Sequence, residues 1–500
     1  MKNLFDNLFV LDLANNHFGD IVFGKKIINE FSKLIIKKKI NAGIKLQLRH
    51  LDTLIHKDHK KDKNNKYIKR FNETKINLSQ FNELIKTIKL NNILTIATPF
   101  DEKSVTDLIQ LDIDILKVAS CSASDQNIIK EIAKYNKPLI VSTGGMDIHQ
   151  VDWVVNYLKK KNSKFAIMHC VSIYPTQDDQ LNLGQINVLK NRYNNVPIGF
   201  STHENQNNTN IIQMAYALGA QLFERHIGIK TNKYGLNNYS STSLQLGKWI
   251  DSFIKSKKII GSIKERNAIT DLETSTLNSL KRGIYLKKNI KKNNKLTKND
   301  IYFSMPLLEN QLTSEIDVIG KKVNDFIKKD KPLFKKNINF LESKKDKIRK
   351  IIYEVDALLI NSKIKLQDNI KYEISHHYGL KRFREYGVVL FDCINREYCK
   401  KILVVLPRQK HPSHMHKIKE ECFQLLSGDL TLTVNGVTKQ LKIGEIIVVK
   451  RGAYHKFQSN KGCVFEEIST KHIKSDSYYF DKEINSNKNR KTIIDKRNLF

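Results

Sequence analysis

The sequence has few cysteines for its length, six in 500 residues, and none of them forms a close CxxC pair. Cys121, Cys170, Cys393, Cys399, Cys422 and Cys463 are scattered, which argues against a disulfide framework or a zinc knuckle and agrees with a reducing compartment. No apolar run approaches the length of about 18 residues that a membrane span needs. The opening Met1-Lys2-Asn3-Leu4-Phe5-Asp6 lacks the apolar core and cleavage site of a signal peptide. A soluble, cytoplasmic protein without a membrane partner is expected. An arginine-rich stripe with interleaved aromatics is also missing. The 86 Lys+Arg against 51 Asp+Glu give a net charge of +35, which taken alone suggests nucleic acid or an acidic surface. The basic residues are mostly dispersed lysines in a chain crowded with Asn and Ile, however. That is the mark of a coding bias, and no nucleic-acid partner is expected.

Five hundred residues exceed one ordinary core, so two to four domains are expected. Short apolar runs alternate with helix-length segments from Phe9 onward. Runs near Phe9–Leu13, Ile44–Leu48, Ile93–Ala97, Ile115–Ala119, Pro138–Val141, Phe165–Met168, Val196–Thr202 and Gln221–Glu224 read as strands. Eight βα units in roughly 260 residues predict a (β/α)8 barrel over 1–265. The alternative, a doubly wound open sheet, rarely needs eight strands, and no glycine-rich dinucleotide turn follows the first one. The strands carry chemistry near their C-terminal ends, the edge where barrel active sites lie. These groups are Asp12, Lys45 with Gln47, Thr98, Lys117 with Ser120, Ser142, His169, Ser201 with His203, and Glu224 with His226. Residues 49–75 form a long polar loop, either functional or disordered.

A small β-rich module is expected over 277–340, a charged, mostly helical or extended linker over 341–377, a compact β unit over 378–470 and a loosely ordered charged tail over 471–500. Short runs and the turns Gly428-Asp429 and Asn435-Gly436 make the third unit an antiparallel barrel or jelly roll.

His203 and His226 end neighbouring strands, which suits a divalent metal with open positions; the bland alternative is two unrelated rim residues. Lys45 and Lys117 stand inside apolar strands, where an unpaired charge is costly. Two lysines aimed at one mouth ask for a multivalent anion, and pairing with internal carboxylates loses weight because few acids lie on these strands. Cys121 and Cys170 follow apolar runs and are read as buried thiols before pocket residues.

The phrases Asn15-Asn16-His17-Phe18-Gly19-Asp20, Lys45-Leu46-Gln47, Thr98-Pro99-Phe100-Asp101, Lys117-Val118-Ala119-Ser120, Ser142-Thr143-Gly144, His169-Cys170 with Tyr174-Pro175, Gly199-Phe200-Ser201-Thr202-His203 and Glu224-Arg225-His226 together resemble the sialic acid synthases over about 9–245. That family condenses phosphoenolpyruvate with an aldose to give a 3-deoxy-2-keto sugar acid and phosphate. The resemblance implies that His203 and His226 hold a divalent metal such as Mn or Mg. It implies that Lys45, Thr98, Lys117, Ser120, Ser142 and Ser201 bind phosphoenolpyruvate. It places Gln47, Tyr174 and Glu224 near sugar or metal, and an acidic residue, Asp12 or Glu224, at the reacting water. The 277–340 module resembles the antifreeze-like (SAF) domain of that family, which implies a domain-swapped homodimer. Departures fall on the sugar side: Asp12 and Ser122 replace Glu, Ser172 replaces Asn, Asn237 replaces Asp, and Met305 replaces Arg.

His414-x-His416-x4-Glu421-x6-Gly428 followed by Gly444-x7-Gly452-x2-His455 resembles the two cupin motifs over about 385–470. Three imidazoles and a carboxylate imply a second divalent metal, with Glu420 as the substitute should Glu421 turn outward. Lys450 and Ser459 depart from the second motif. The cupin is expected to be a metal-dependent sugar isomerase or epimerase, or a module for sugar binding or dimer contacts only. A decayed, non-catalytic sugar-binding protein is the remaining alternative for the whole chain.

Overall fold

The computed structural model describes residues 4–495 apart from 61, 63, 263–265, 315–317, 339–343, 474 and 488. The expected boundaries at 265 and 340/341 and the last residues of the tail lie outside the described residues. The chain forms two compact units, Met1–Ala268 and Ile269–Phe500.

The first unit is a closed barrel of eight parallel strands. These are β1 (Leu8–Asp12), β2 (Ala42–Leu48), β3 (Leu94–Pro99), β4 (Ile115–Val118), β5 (Leu139–Ser142), β6 (Phe165–Cys170), β7 (Ile198–Thr202) and β8 (Leu222–Ile227). Each pairs with the next, and β1 pairs with β8 to close the ring. A two-residue strand, β9 (Ser240–Ser241), adds to the end of β8.

Side chains alternate faces along a strand, and the barrel uses this twice. Outward residues such as Phe9, Leu11, Ile44, Leu46, Phe200 and Phe223 join the main core with the surrounding helices. Inward residues Val10, Ile96, Ile115, Ile140, Met168 and Leu222 plug the barrel with Phe5 and Leu8. Glycines stand at inward positions of β2 and β7 because nothing larger fits. A Cβ on Gly43 would lie 2.6 Å from Ile96 Cδ1, and one on Gly199 would lie 2.5 Å from Leu222 Cγ. Two residues further along each strand, the same inward face turns polar.

The second unit contains two cores. In the first, Gly283–Leu286 pairs antiparallel with Ile301–Ser304, and isolated bridges such as Ile290 to Ile327 knit the rest around Ile284, Leu286, Leu312, Val323 and Leu333. The second is a jelly roll. A seven-stranded sheet holds Glu421–Gly428, Cys463–Thr470, Tyr398–Val405 and Gly387–Asn395 at its centre. A five-stranded sheet holds Leu430–Val434, His455–Gln458 and Lys410–Met415. Phe423, Leu425, Leu432, Phe457 and Phe465 fill the core of this unit.

Three segments differ from expectation. The 49–75 stretch, read as a long loop, carries the helices Leu51–Leu54 and Lys66–Glu73. The stretch read as a linker contains the helix Lys344–Asn361. Its Ile348, Ile352, Val355 and Leu359 recur at helical spacing and pack on Ile374, Phe391, Ile402, Val404 and Val464. The stretch read as a loose tail supplies Tyr478–Tyr479 to the five-stranded sheet and Lys491–Ile494 to the edge of the seven-stranded one. The residue spacing of a helix hides among dispersed lysines, and single short strands carry little periodicity. If the helix belongs to this core, Ile352→Ala, which removes a side chain 1% exposed, destabilises the second unit by about 2–4 kcal/mol. The check is the urea transition of that unit; a midpoint unchanged from the parent would return the segment to linker status.

Candidate active site and second metal-binding cluster

The inward register carries the polar residues of β1, β2, β3, β4, β5, β7 and β8 to one mouth. Lys45 Nζ lies 2.9 Å from Asp12 Oδ2 and 2.5 Å from Glu224 Oε1, and Lys117 Nζ lies 2.9 Å from Glu224 Oε2. Asp12, Lys45, Glu224 and Lys117 thus alternate in charge, and all four are at most 3% exposed. The lysines are paired with internal carboxylates, contrary to expectation. Asp12 comes from the adjacent strand β1, but only ring closure brings β8 next to β1, so that Glu224 reaches Lys45 across 179 positions of sequence.

The charges hold one another. Burial would raise the Glu224 carboxyl, but Lys117 and Lys45 hold it well below the usual range. Burial likewise opposes the ionised Asp12, yet Lys45 and His226 leave it lowered. For Lys45, two carboxylates outweigh burial and raise its pKa. Lys117 has one shared carboxylate and a like charge in Lys45, so burial wins and its pKa falls.

Beside this chain of charges, the Thr98 and Ser142 hydroxyls are buried without a hydrogen-bond partner among the described residues. Ser120 opens a turn of 3-10 helix after β4, and its hydroxyl accepts from the Gly144 N–H at 3.2 Å. Residue 144 must be glycine for that approach: a Cβ there would lie 2.7 Å from Ser120 Oγ and 2.5 Å from Ser172 Oγ. Ser201 is level with Glu224 across the β7–β8 ladder. Cys170 is buried and Cys121 is exposed.

The two imidazoles meet as expected. The rings of His203 and His226 are 5.3 Å apart. His203 Nδ1 sits 3.2 Å from the Val171 carbonyl, and His226 Nε2 sits 3.3 Å from Asp12 Oδ2. Tyr174 packs 4.2 Å from the His203 ring. Asn237 acts locally: its side-chain oxygen accepts from the Tyr239 N–H at 3.2 Å, and the turn presents Tyr239 5.3 Å from His226. Gln47 donates to Asp12 at 3.1 Å and accepts from Arg49. Tyr239, Arg49 and Arg70 were missed in the sequence because each lies in a loop or a short polar helix without apolar periodicity.

In the jelly roll, His414, His416, Glu421 and His455 offer ligand atoms all within 4.8 Å of one another. Among the described residues this is the one group of three or more such side chains so arranged. Each histidine turns Nδ1 to a backbone carbonyl, of Pro412, Asp476 and Ala453 respectively, leaving Nε2 for the centre. Glu421 faces inward and Glu420 is exposed. Burial drives His414 well below its usual pKa, so it is neutral, the ligating form. Burial opposes the ionised Glu421, but His416, His455 and Lys419 hold it well below the usual range. Lys419 also binds Glu467 at 2.9 Å. The segment expected to be a loose tail locks this site. Asp476 accepts from the N–H groups of Lys417, Ile418 and Lys419 at 2.9, 3.0 and 2.9 Å, and Tyr479 stacks on His414.

The barrel's charge chain makes a signed prediction. Lowered carboxyls stabilise the fold fully above their unfolded pKa and lose that contribution as pH falls through the folded value. Lys45→Met strips Asp12 of its lysine and should cost about 3–5 kcal/mol near pH 7. Because acid neutralises the stranded carboxylate, the deficit against the parent should shrink toward about pH 4. Urea midpoints of the barrel unit across that range test this; a deficit independent of pH would contradict the charge account.

Comparison with known proteins agrees with this geometry. Residues 35–265 match the NeuB family and residues 401–465 match the cupin domain. A solved spore coat polysaccharide biosynthesis protein E from Chromobacterium violaceum is 35% identical, with a TM-score of 0.65, over 67% of this chain and 99% of its own. The N-acetylneuraminate-9-phosphate synthase of Drosophila melanogaster is 28% identical over 67% of this chain and 97% of its own. The N,N'-diacetyllegionaminic acid synthase of Campylobacter jejuni is 27% identical over 57% and 86%. No described helix is long and apolar enough to cross a membrane. With the barrel closed, its polar mouth assembled and these relatives aligned, the chain belongs to the NeuB family of sialic acid-type synthases, transferases by activity, and carries a cupin domain after the synthase region.

Proposed function

We propose that the barrel condenses phosphoenolpyruvate with an aldose of the N-acetylmannosamine-like amino-sugar class, giving a 3-deoxy-2-keto sugar acid of the nonulosonate type and phosphate. The observation that carries this reading is the mouth itself, where two buried lysines and two orphaned hydroxyls lie beside paired imidazoles. Orphaned buried hydroxyls are costly unless a ligand satisfies them. Thr98 and Ser142, with Ser120 and Ser201, are assigned to the phosphate and carboxylate of phosphoenolpyruvate, together with Lys45 and Lys117. Gln47, Tyr174 and Asn237 are assigned to the sugar side.

C3 of phosphoenolpyruvate attacks the aldehyde carbon, forming the new C–C bond. Water adds to the electron-poor C2, and the resulting tetrahedral centre expels phosphate. An acidic side chain takes the water's proton. Asp12, next to His226 and paired with one lysine, is assigned this role over Glu224, which two lysines make the weaker base. The donor set of His203, His226 and the adjacent Asp12 carboxylate suits a hard or borderline divalent ion. Such an ion, Mn or Mg, would act as a Lewis acid on the aldehyde oxygen.

The module around Gly283–Ile338 is read as the antifreeze-like domain, and the working form as a domain-swapped homodimer. A second reading applies to the cupin. Its three imidazoles, each with Nε2 turned to the centre, and one buried carboxylate favour a divalent metal, and a metal-dependent sugar isomerase or epimerase fits that donor set.

Two experiments separate these roles. Phosphate release from phosphoenolpyruvate with a panel of amino-sugars should fall about 100-fold or more in His203→Ala and His226→Ala, while His414→Ala leaves it unchanged. Release from no acceptor at all would sink the synthase reading. Metal analysis of dialysed protein should show one divalent ion that depends on His414 and Glu421; equal metal content in His414→Ala would remove the cupin site.

A further inference from the structure

Arg49 immediately follows β2, two residues past Gln47, and Arg70 lies in the helix Lys66–Glu73 of the following polar stretch. Both return to the turn after β1. Arg49 donates to Asn15 Oδ1 at 3.1 Å, and Arg70 donates to Asn16 Oδ1 at 3.2 Å. These partners, like Gln47, are neutral amides. Among the described residues, no carboxylate lies within 4.0 Å of either guanidinium.

The pair is nonetheless held firmly. Arg49 is sandwiched between the rings of Phe71 and Phe100, at 4.2 and 4.0 Å, and its Nε is buried without a partner. Burial, with Arg70 adding to it, pulls the Arg49 guanidinium down to about 10, while Asp12 opposes the shift. His17 beside them falls to about 4 through burial and the two arginines, so it stays neutral. Two cations pinned near one another without a counter-charge are paid for only if something anionic joins them.

That anion is not supplied by the protein, because Asp12 and Glu224 are already committed to Lys45 and Lys117. Arg49 also touches the end of β3 through Phe100, but among the described residues neither arginine bonds to the hydroxyls of β3, β4, β5 or β7. They flank β1, β2 and the β8 loop, where Gln47, Asp12 and Tyr239 are found, and Arg70 and Asp12 both act on the Tyr239 hydroxyl. This is the sector assigned to the acceptor.

We propose that Arg49 and Arg70 form an anion clamp for the acceptor sugar, so that the substrate is an aldose bearing a phosphate or carboxylate remote from its aldehyde. The proposal rests on the synthase reading above. It makes the two arginines specificity-determining residues and gives the 49–75 stretch its purpose: it carries a charge back across the mouth.

The test compares an N-acetylhexosamine, its 6-phosphate and the matching uronate as acceptors for the full-length protein at saturating phosphoenolpyruvate. Either charged acceptor should exceed the neutral parent in kcat/KM by about 10- to 100-fold, the scale of one or two charge-assisted bonds. Which of the two is preferred identifies phosphate or carboxylate. Arg70→Ala should abolish that advantage through the acceptor KM, Arg70→Lys should restore part of it, and the KM for phosphoenolpyruvate should hold. A neutral acceptor used as well as the charged ones overturns the clamp, as does a rise confined to the phosphoenolpyruvate KM. Calorimetric binding of the 6-phosphate and the uronate to parent, Arg70→Ala and Arg70→Lys proteins separates the two readings. Arg70-dependent binding without phosphate release keeps the clamp and rejects the synthase. Binding that is absent or indifferent to residue 70 rejects the clamp. Unfolding midpoints of both variants matching the parent guard against a folding defect.

Discussion

The alternating chain Asp12–Lys45–Glu224–Lys117 is the constraint on which the barrel mouth depends. Four fully buried charges sum to zero, and each owes its ionisation to its neighbours. Water cannot solvate any of them at this depth, so removing one member strands another. The register that places them is the register that packs the barrel. Val10 leads to Asp12, Gly43 to Lys45, Ile115 to Lys117 and Leu222 to Glu224, always by a step of two. A one-residue slip in any strand would send its charge into the helix layer. The apolar plug below and the ionic mouth above are therefore one structural decision.

Much of this was written in local sequence. Period-two alternation and strand-length apolar runs announced eight strands, and the polar group at each C-terminal end announced a mouth. The spacing of His414, His416, Glu421 and His455 announced a compact ligand set, which the fold gathers within 4.8 Å. What could not be read was adjacency created by closure. Asp12 and Lys45 are 33 positions apart, but Glu224 reaches Lys45 only because β8 and β1 join. A linear scan sees a lysine inside an apolar strand and finds no acid near it.

Other misreadings share a different physical cause. The stretch with the helix Lys344–Asn361 reads as helical or extended, but its polar face is so rich in charge that it passes for a linker and its apolar stripe is not assigned to a core. Asp476 and Tyr479 sit in a segment with no pattern at all. Their roles come from capping three backbone N–H groups and from stacking on a histidine. Arg49 escaped notice for a similar reason. A cation held between Phe71 and Phe100 is visible only when a short helix and the ends of two strands are brought together.

The two candidate metal sites solve the charge problem in opposite ways, which bears on what each can do. In the barrel, Glu224 is shared by two lysines, so its charge is spent before any ion arrives. A dication near His203 and His226 would then leave the mouth electropositive, with Arg49 and Arg70 adding to it. Such a site would suit polyanionic ligands and would hold a metal best when they are present. In the cupin, Lys419 is shared between Glu421 and Glu467, so one negative charge remains beside the imidazoles. That surplus favours a dication outright, without help from substrate. The same two residue types, lysine and glutamate, would thus set a substrate-dependent affinity in one domain and a resident one in the other. The difference follows from whether lysines balance the carboxylates, as in the barrel, or are outnumbered by them, as in the cupin.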